Sequence, residues 1–472
     1  MADLKEPLDR RAILGLVAMA LAVLVIANDF TALSVALPAI EAEFGADVTT
    51  VQWVINGYAL VFGVLIVTGG RLADMFGRRK VFFIGTAIFS IFSLLGGLAP
   101  NIWILLLSRG AMGIGGALMW PAILGMTYAL LPKSRAGLAG GLILGAAGLG
   151  NAVGPLLGGT LTDALSWRWI FFLNLPIAGF AVLVTLRVVA KDGPNSANHR
   201  IDYAGVTALS VGLFALLLAL DEGATRGWLD PMIVGLFILA AASLVVFAMI
   251  ERRAGAHALV PADVLTNRAF VAACLTTLLM SAIFFAALLY LPQFMTKQLS
   301  FSAVGSGAGL LPMMGIYAIV SFIAGPLYER LGAKIVVSAG AAFLAAGMYL
   351  LSRIDVTSSY NDMILGMVVL GVGVGLFYSS ITTAAVTALG EARTSLAGGL
   401  VYMCQIAGGS IGLGLNTAIA ITAPSLVNGI GRAFLVDAVL AVCGLAVAIL
   451  YVGGRIGGMP APSQRAKSGA TG

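Results

Sequence analysis

Two charged residues lie where a charge is costly. Asp29 is the only acid in the apolar run from Ile13 to Leu37, and Arg109 falls inside a second such run, 102–131. An intramembrane charge costs about 2.5–3.5 kcal/mol on insertion scales, so it turns toward water or a partner. Burial raises the proton affinity of a carboxylate, whereas a neighbouring guanidinium lowers it. A chain that joins Asp29 to Arg109 in one arrangement and parts them in another would take up and release a proton. At 1.5 Å per residue, Asp29 lies ~12 Å below the end of its run at Leu37 and Arg109 ~10 Å below Ile102, at similar depth. The alternative reading is a static Asp29–Arg109 pair, or Asp29 bonded to Asn28 and Thr31.

The elements that must hold these residues follow from composition. The 472 residues are 60% hydrophobic and 10% charged, against about 25% charged in soluble chains. So few charges cannot cover a water-exposed surface, so the solvent is mostly lipid. The 60 glycines suit helices that approach closely inside a bilayer. The net charge of +6 fits loops facing anionic lipid, not nucleic acid. Cys274, Cys404 and Cys443 are far apart in sequence, and His199 and His257 lie in polar loops, so no disulfide, metal or haem site is expected.

About 20 apolar residues cross the hydrocarbon layer. Dividing the chain at charges, prolines and polar clusters predicts fourteen spans. Starting with the N-terminus in the cytoplasm, Arg168, Arg226, Lys297, Arg353 and Arg432 fall on the outer side, and Arg109 falls within a span. The rest of the 27 Lys and Arg fall on the inner side, as the positive-inside rule requires. Trp53, Trp103, Trp167, Trp169 and Trp228 fall at the outer interface.

The chain also repeats itself. Gly70, Asp74, Gly77 and Arg79 match Gly325, Glu329, Gly332 and Lys334 at one spacing, RAGLAGGL from Arg135 matches RTSLAGGL from Arg393, and Gly113 and Gly115 match Gly371 and Gly373. The repeat shifts by eight spans, so two six-span halves are separated by two inserted spans. The expected organisation is a cytoplasmic N-terminus (1–12), a first six-helix bundle (13–190), two additional helices (204–250), a second six-helix bundle (270–453) and a disordered cytoplasmic tail (454–472).

GRLADMFGRRK after the second span, LLLSRGAMGIGGA in the fourth, GLGNAVGPLLGG in the fifth, NDFTALSVALP in the first and WRWIFFLNLPIAG entering the sixth resemble motifs of the major facilitator superfamily, in its branch of fourteen-span drug–proton antiporters. Ser34, Met75 and Met112 depart from the family pattern. The resemblance implies an all-α membrane protein of the major facilitator fold. It also implies that the first and fourth helices of each half line a central cavity. It gives Gly70, Asp74, Gly77, Arg78 and Arg79 the role of a conformational latch, and it links the bent fifth helix with Gly150, Gly154, Pro155, Gly158 and Gly159 to antiport. Physically, a carboxylate at Asp74 can face a helix N-terminus, and Pro155 bends a helix by removing a hydrogen bond. The second half keeps Gly408 and Gly412 but has Leu413 and Asn416 where the repeat puts Pro155 and Gly158.

Asp29 is therefore the expected proton carrier and Arg109 its conditional partner. Candidate cavity residues are Asn28, Thr31, Asn56, Tyr58, Trp120, Phe284, Tyr290, Tyr378, Tyr402 and Gln405. No deep acid is expected in the second half, and Asp437 reads as interfacial. One intramembrane acid suits a neutral or monocationic amphiphile better than a dication. The expected function is a proton-coupled exporter of amphipathic small molecules or drugs, working by alternating access. The expected site is the cell membrane, with both termini cytoplasmic. Its partners would be the substrate, protons and lipid, with no nucleic acid, no cofactor, no metal and a monomeric state. A specific metabolite, siderophore or lipid exporter is the alternative, and a non-transporting scaffold is disfavoured by latch motifs in both halves. An enzyme is not expected: no GxxxxGK[ST] loop or cluster of nucleophiles occurs.

Overall fold

A computed structural model describes residues 9–192, 202–254 and 258–453. His199, His257 and the tail 454–472 lie outside the described residues. The first half comprises α1 (Arg10–Phe44), α2 (Val48–Phe76), α3 (Arg78–Gly97), α4 (Ile102–Ala129), α5 (Ala136–Ala164) and α6 (Arg168–Val188). The inserted pair is α7 (Tyr203–Arg226) and α8 (Pro231–Ala254), followed by the short α9 (Ala262–Thr266). The second half comprises α10 (Arg268–Lys297), the short α11 (Ala303–Ala308), α12 (Leu311–Leu331), α13 (Ala333–Leu351), α14 (Tyr360–Leu389), α15 (Thr394–Ile421) and α16 (Leu426–Tyr451). Fourteen of these segments are long and apolar enough to cross a membrane. Fourteen crossings leave the start of α1 and the end of α16 on one face, here called the terminal face; the opposite one is the far face.

The same packing recurs in each half. In the first, α1 packs on α5 and α6, α4 on α2 and α3, and α3 on α6. In the second, α10 packs on α15 and α16, α14 on α12 and α13, and α13 on α16. The halves meet along two equivalent seams, α5 against α12 and α2 against α15. Helix starts repeat with the sequence blocks: Arg10 with Arg268, Ile102 with Tyr360, Ala136 with Thr394, Arg168 with Leu426. Gly77 (φ +103°) ends α2 and Gly332 (φ +84°) ends α12. A positive φ at both corners strains any residue with a Cβ, which is why the repeat keeps glycine there.

Two expectations need correction. First, α1 continues past Leu37 and through Pro38 to Phe44. Pro38 removes one backbone hydrogen bond, while Ala36 and Ile40 remain buried and hold the last turns in place. Asp29 is therefore ~22 Å from the far end of α1, near mid-helix. Second, Trp167 is a buried anchor, not an interfacial indole: its Nε1 donates to Glu43 Oε2 at 2.7 Å, beside an Arg168–Glu43 ion pair at 2.6 Å that pins the end of α1 to the start of α6. Cys274 on α10 and Cys404 on α15, distant in sequence, are neighbours in the fold, and both are free thiols.

The inserted pair is attached through one helix. α7 packs on both α2 and α15, with Leu217 close to Gly63 and Asp221 accepting a 3.0 Å hydrogen bond from Asn56. Trp228, in the turn after α7, packs against Gly223 and Gly414. α8 has only 11% of its apolar window buried, so it presents itself almost wholly to lipid.

Candidate functional site: a buried ion pair and a two-sided latch

Asp29 on α1 and Arg109 on α4 are both fully buried and form an ion pair through Oδ2 and Nη1. Arg109 Nε donates to the Val54 carbonyl oxygen on α2 at 2.6 Å. Its guanidinium lies 4.4 Å from the Tyr58 ring centroid, a cation–π contact in dry surroundings. The remaining Asp29 oxygen accepts from Asn174 Nδ2 on α6 at 3.3 Å. Asn174 also donates to Ser93 Oγ at 3.1 Å, and Ser93 donates to the Phe171 carbonyl oxygen at 2.8 Å. The pair thus ties α1, α2, α4 and α6 together, with α3 behind.

Asn174 is a functional candidate that the sequence reading did not single out. Its signals were an amide inside the apolar α6 and its place within the motif WRWIFFLNLPIAG. Asn28 is buried beside Asp29, but its backbone oxygen, not its side chain, meets Thr31 Oγ1 at 3.4 Å. The side chains of Asn28 and Thr31 therefore do not bond Asp29 here.

On the terminal face, Asp74 does not serve α3. It reaches across the seam to the N-terminus of α15, where Oδ2 accepts from Leu396 N at 2.8 Å and Oδ1 from Ser395 N at 3.2 Å. Arg78 Nε donates to Asp74 Oδ1 at 3.2 Å and Arg78 Nη1 to the Gly125 carbonyl oxygen at 3.0 Å, while Arg78 Nη2 bonds the Glu391 carbonyl oxygen. The N-terminus of α3 is served by Asp192, which accepts from Arg79 N at 3.2 Å and Lys80 N at 3.1 Å. Arg79 Nη1 and Nη2 donate to the Val189 and Leu186 carbonyl oxygens at the end of α6. The repeat supplies a second strap: Glu329 on α12 accepts from Leu138 N, at the start of α5, at 3.1 Å. Each half therefore sends an acid from its own corner to a helix N-terminus of the other, where the orphan amides and the dipole favour it. Both seams are closed on this face. A Cβ at Gly70 would stand 2.6 Å from the Ser395 carbonyl oxygen, and one at Gly325 would stand 2.7 Å from that of Gly137.

α5 uses its small residues on two sides. Gly150, Gly154 and Gly158 admit α1, and a Cβ at Gly150 would lie 2.8 Å from the Leu24 carbonyl oxygen. Gly159 faces Val304, and Pro155 packs against Gly307 near the far face of the second half.

The proposed cavity residues separate into groups. Trp120 and Tyr402 stack across the two halves at 4.4 Å, with Phe62 5.5 Å from Tyr402. Tyr378 bonds Ser281 at 2.9 Å and lies 5.7 Å from Phe284. Gln405 is buried, and Trp120 Nε1 and Tyr58 Oη have no partner among the described residues. Tyr290 instead bonds Thr417 at 2.8 Å, and Asn56 is committed to Asp221 on the inserted α7. Asp437, expected at the interface, is fully buried in mid-α16 and accepts from Asn416 Nδ2 at 3.1 Å. Among the described residues no group of three His, Cys, Asp or Glu could hold a metal ion.

The family model of the Major Facilitator Superfamily matches residues 19–413 and 273–471. The chain belongs to this superfamily. It is 34% identical to the puromycin resistance protein pur8 of Streptomyces alboniger, over 87% of this chain and 82% of that one. It is 32% identical to the lincomycin resistance protein of Streptomyces lincolnensis, over 93% and 90%. With the multidrug transporter protein MdtP of Bacillus subtilis the identity is 31%, over 88% and 76%. The human organic anion transporter MFSD10 shares the fold, at TM-score 0.68 and 14% identity, over 94% of this chain and all of that one. As a superfamily member the chain is a multi-pass membrane protein of two six-helix halves with two inserted central helices.

Proposed function

We propose that this facilitator exports amphipathic small molecules, drugs among them, in exchange for protons, from a cell membrane with both termini cytoplasmic. The carrying observation is the dry Asp29–Arg109 pair that joins four helices of the first half. Protonating Asp29 neutralises the carboxylate and leaves the Arg109 cation without its counter-ion in a dry site. An unpaired buried charge is strongly unfavourable, so the helices that the pair joins must rearrange. The latch supports alternating access, because its straps run between halves and close one face while the acids are seated. The proton gradient is the energy source in this reading, at about 2.3 kcal/mol per charge per 100 mV of membrane potential.

The aromatic set Phe62, Trp120 and Tyr402, which bridges the halves, suits a flat apolar substrate, and Trp120 Nε1 offers it a donor. The names of the antibiotic-resistance relatives favour drugs over a single metabolite. Inverted vesicles containing the chain are expected to accumulate puromycin or lincomycin when energised, to lose it on adding an uncoupler, and to fail with Asp29→Asn although that variant reaches the membrane. Uncoupler-resistant uptake, or full uptake by Asp29→Asn, would overturn the reading. A susceptibility panel that protects a pump-deficient host from no antibiotic would favour a dedicated metabolite exporter.

A further inference from the structure

The second half buries an acid for which the reading above has no use. Asp437 sits ~16 Å along α16 from Leu426 and has no exposed surface. Asn416 Nδ2 donates to its Oδ1 at 3.1 Å and to the Gly412 carbonyl oxygen at 2.8 Å. Asp437 Oδ2 and Asn416 Oδ1 have no hydrogen-bond partner among the described residues.

No Lys or Arg among the described residues pairs with Asp437. α16 packs on α10, α13 and α15. From α10, Tyr290 faces the acid and interacts with it, its hydroxyl already bonded to Thr417. Arg268 and Lys297 are exposed at the two ends of α10, and Cys274 is beside Cys404 on α15. From α13, Lys334 stands at the helix start and Tyr349 is exposed, bonded to Arg353. From α15, Tyr402 is stacked on Trp120. Arg432, on α16 itself, is exposed.

An isolated carboxylate in such a place is strongly disfavoured, and the group binds a proton instead. A neutral acid donates one O–H and accepts through its other oxygen, and an amide does the complementary pair of things. The ionised acid can accept from Asn416 Nδ2 but has no proton to give Asn416 Oδ1, whereas the neutral acid can do both. Nor does the close approach need the amide. At the spacing that superposes the helix starts, Asn416 falls on Gly158 of the first half, which packs against Ala32 of α1 with no polar side chain.

We propose that Asp437 is a second proton-binding site, loaded while the terminal face is closed, which exchanges its proton with water when the packing of α10, α15 and α16 opens. The proposal builds on the proton-driven reading, but its test does not use transport. The full chain in lipid nanodiscs is examined by infrared spectroscopy. At neutral pH the wild type is expected to show a buried carboxylic-acid carbonyl band. That band should vanish in Asp437→Asn, persist in Asp29→Asn, move to a new position in Asp437→Glu, and shift when the protein is transferred to deuterated buffer. No such band, a band that survives Asp437→Asn, a band removed by Asp29→Asn, or one that deuterated buffer never shifts would overturn the proposal. If Asp437→Asn fails to fold, the Asp437→Glu shift carries the assignment. Export that proves indifferent to uncouplers would defeat the transport reading and leave this band in place, so the two failures are told apart.

Discussion

The first half buries an acid with a cation, and the second buries an acid with an amide. The contrast is positional as well as chemical. At the repeat spacing, Asp29 and Arg109 fall on Ala287 and Met367, both buried and apolar, whereas Asn416 falls on Gly158, buried against α1, and Asp437 on Gly179, which is exposed. Each half therefore keeps the helix packing and the corner glycine of the other but places its polar group on a different pair of helices. Packing requires small residues at close approaches and apolar ones elsewhere, so each buried polar pair is an addition that packing itself does not call for. The difference shows that architecture and electrostatics have been set separately in this chain: the repeat carries the first and not the second.

The strongest way to break this comparison is to remove one member of each pair. Arg109→Met leaves Asp29 without its counter-ion in a buried site and should destabilise the protein by about 3–5 kcal/mol, with loss of gradient-driven efflux. Asp437→Asn leaves a neutral amide where a neutral acid stood and should change stability by less than about 1 kcal/mol. Thermal unfolding of both variants in the same detergent checks this, and equal losses would mean that Asp437 is also ionised.

Next in size is Asn174→Leu, which takes away a hydrogen bond to a charged group and should cost about 1.5–3 kcal/mol. The same measurement reads it, and an unchanged midpoint would remove Asn174 from the site.

The latch sharpens the comparison at smaller scale. Asp74 accepts from two amides and from Arg78 and its side chain is buried, while Glu329 accepts from one amide, feels the charge of Arg135 and is half-exposed. Asp74→Asn should weaken terminal-face closure by about 1–2 kcal/mol, roughly tenfold in the ratio of closed to open, and Glu329→Gln by under about 1 kcal/mol. In a background without native cysteines, thiol labelling at a cysteine placed at Ala397 or Ala139 reports each seam. Faster labelling for the Glu329 variant would reverse the ranking. Smallest of all is Asp221→Asn, whose exposed bond to Asn56 should be worth less than about 0.5 kcal/mol. An unfolding midpoint indistinguishable from wild type is expected.

Much of the molecule was legible beforehand. Fourteen apolar runs gave fourteen crossings because a bilayer demands a fixed length of apolar helix. Internal matches such as Gly77 with Gly332 marked the two corners, because a positive φ selects glycine whatever surrounds it. Asp29 and Arg109 were visible as candidates because a charge inside an apolar run is conspicuous. Asp437 was misplaced because its span was drawn from 432, five residues short of the acid, whereas α16 begins at Leu426. Asn174 was quoted within WRWIFFLNLPIAG but given no role, because a single amide in an apolar helix carries no sign of its partner.

Sequence alone thus settled the number of membrane-length helices, where the chain repeats, and which residues are too polar for their surroundings. These are local properties, set by transfer free energy and backbone geometry along one helix. Which polar groups meet was decided only by the tertiary structure. Asp74 finds α15 rather than the neighbouring α3, Asn174 finds Asp29, and Asn416 finds Asp437, because the rotation and register of packed helices bring distant faces together and no property of a single helix specifies its partner.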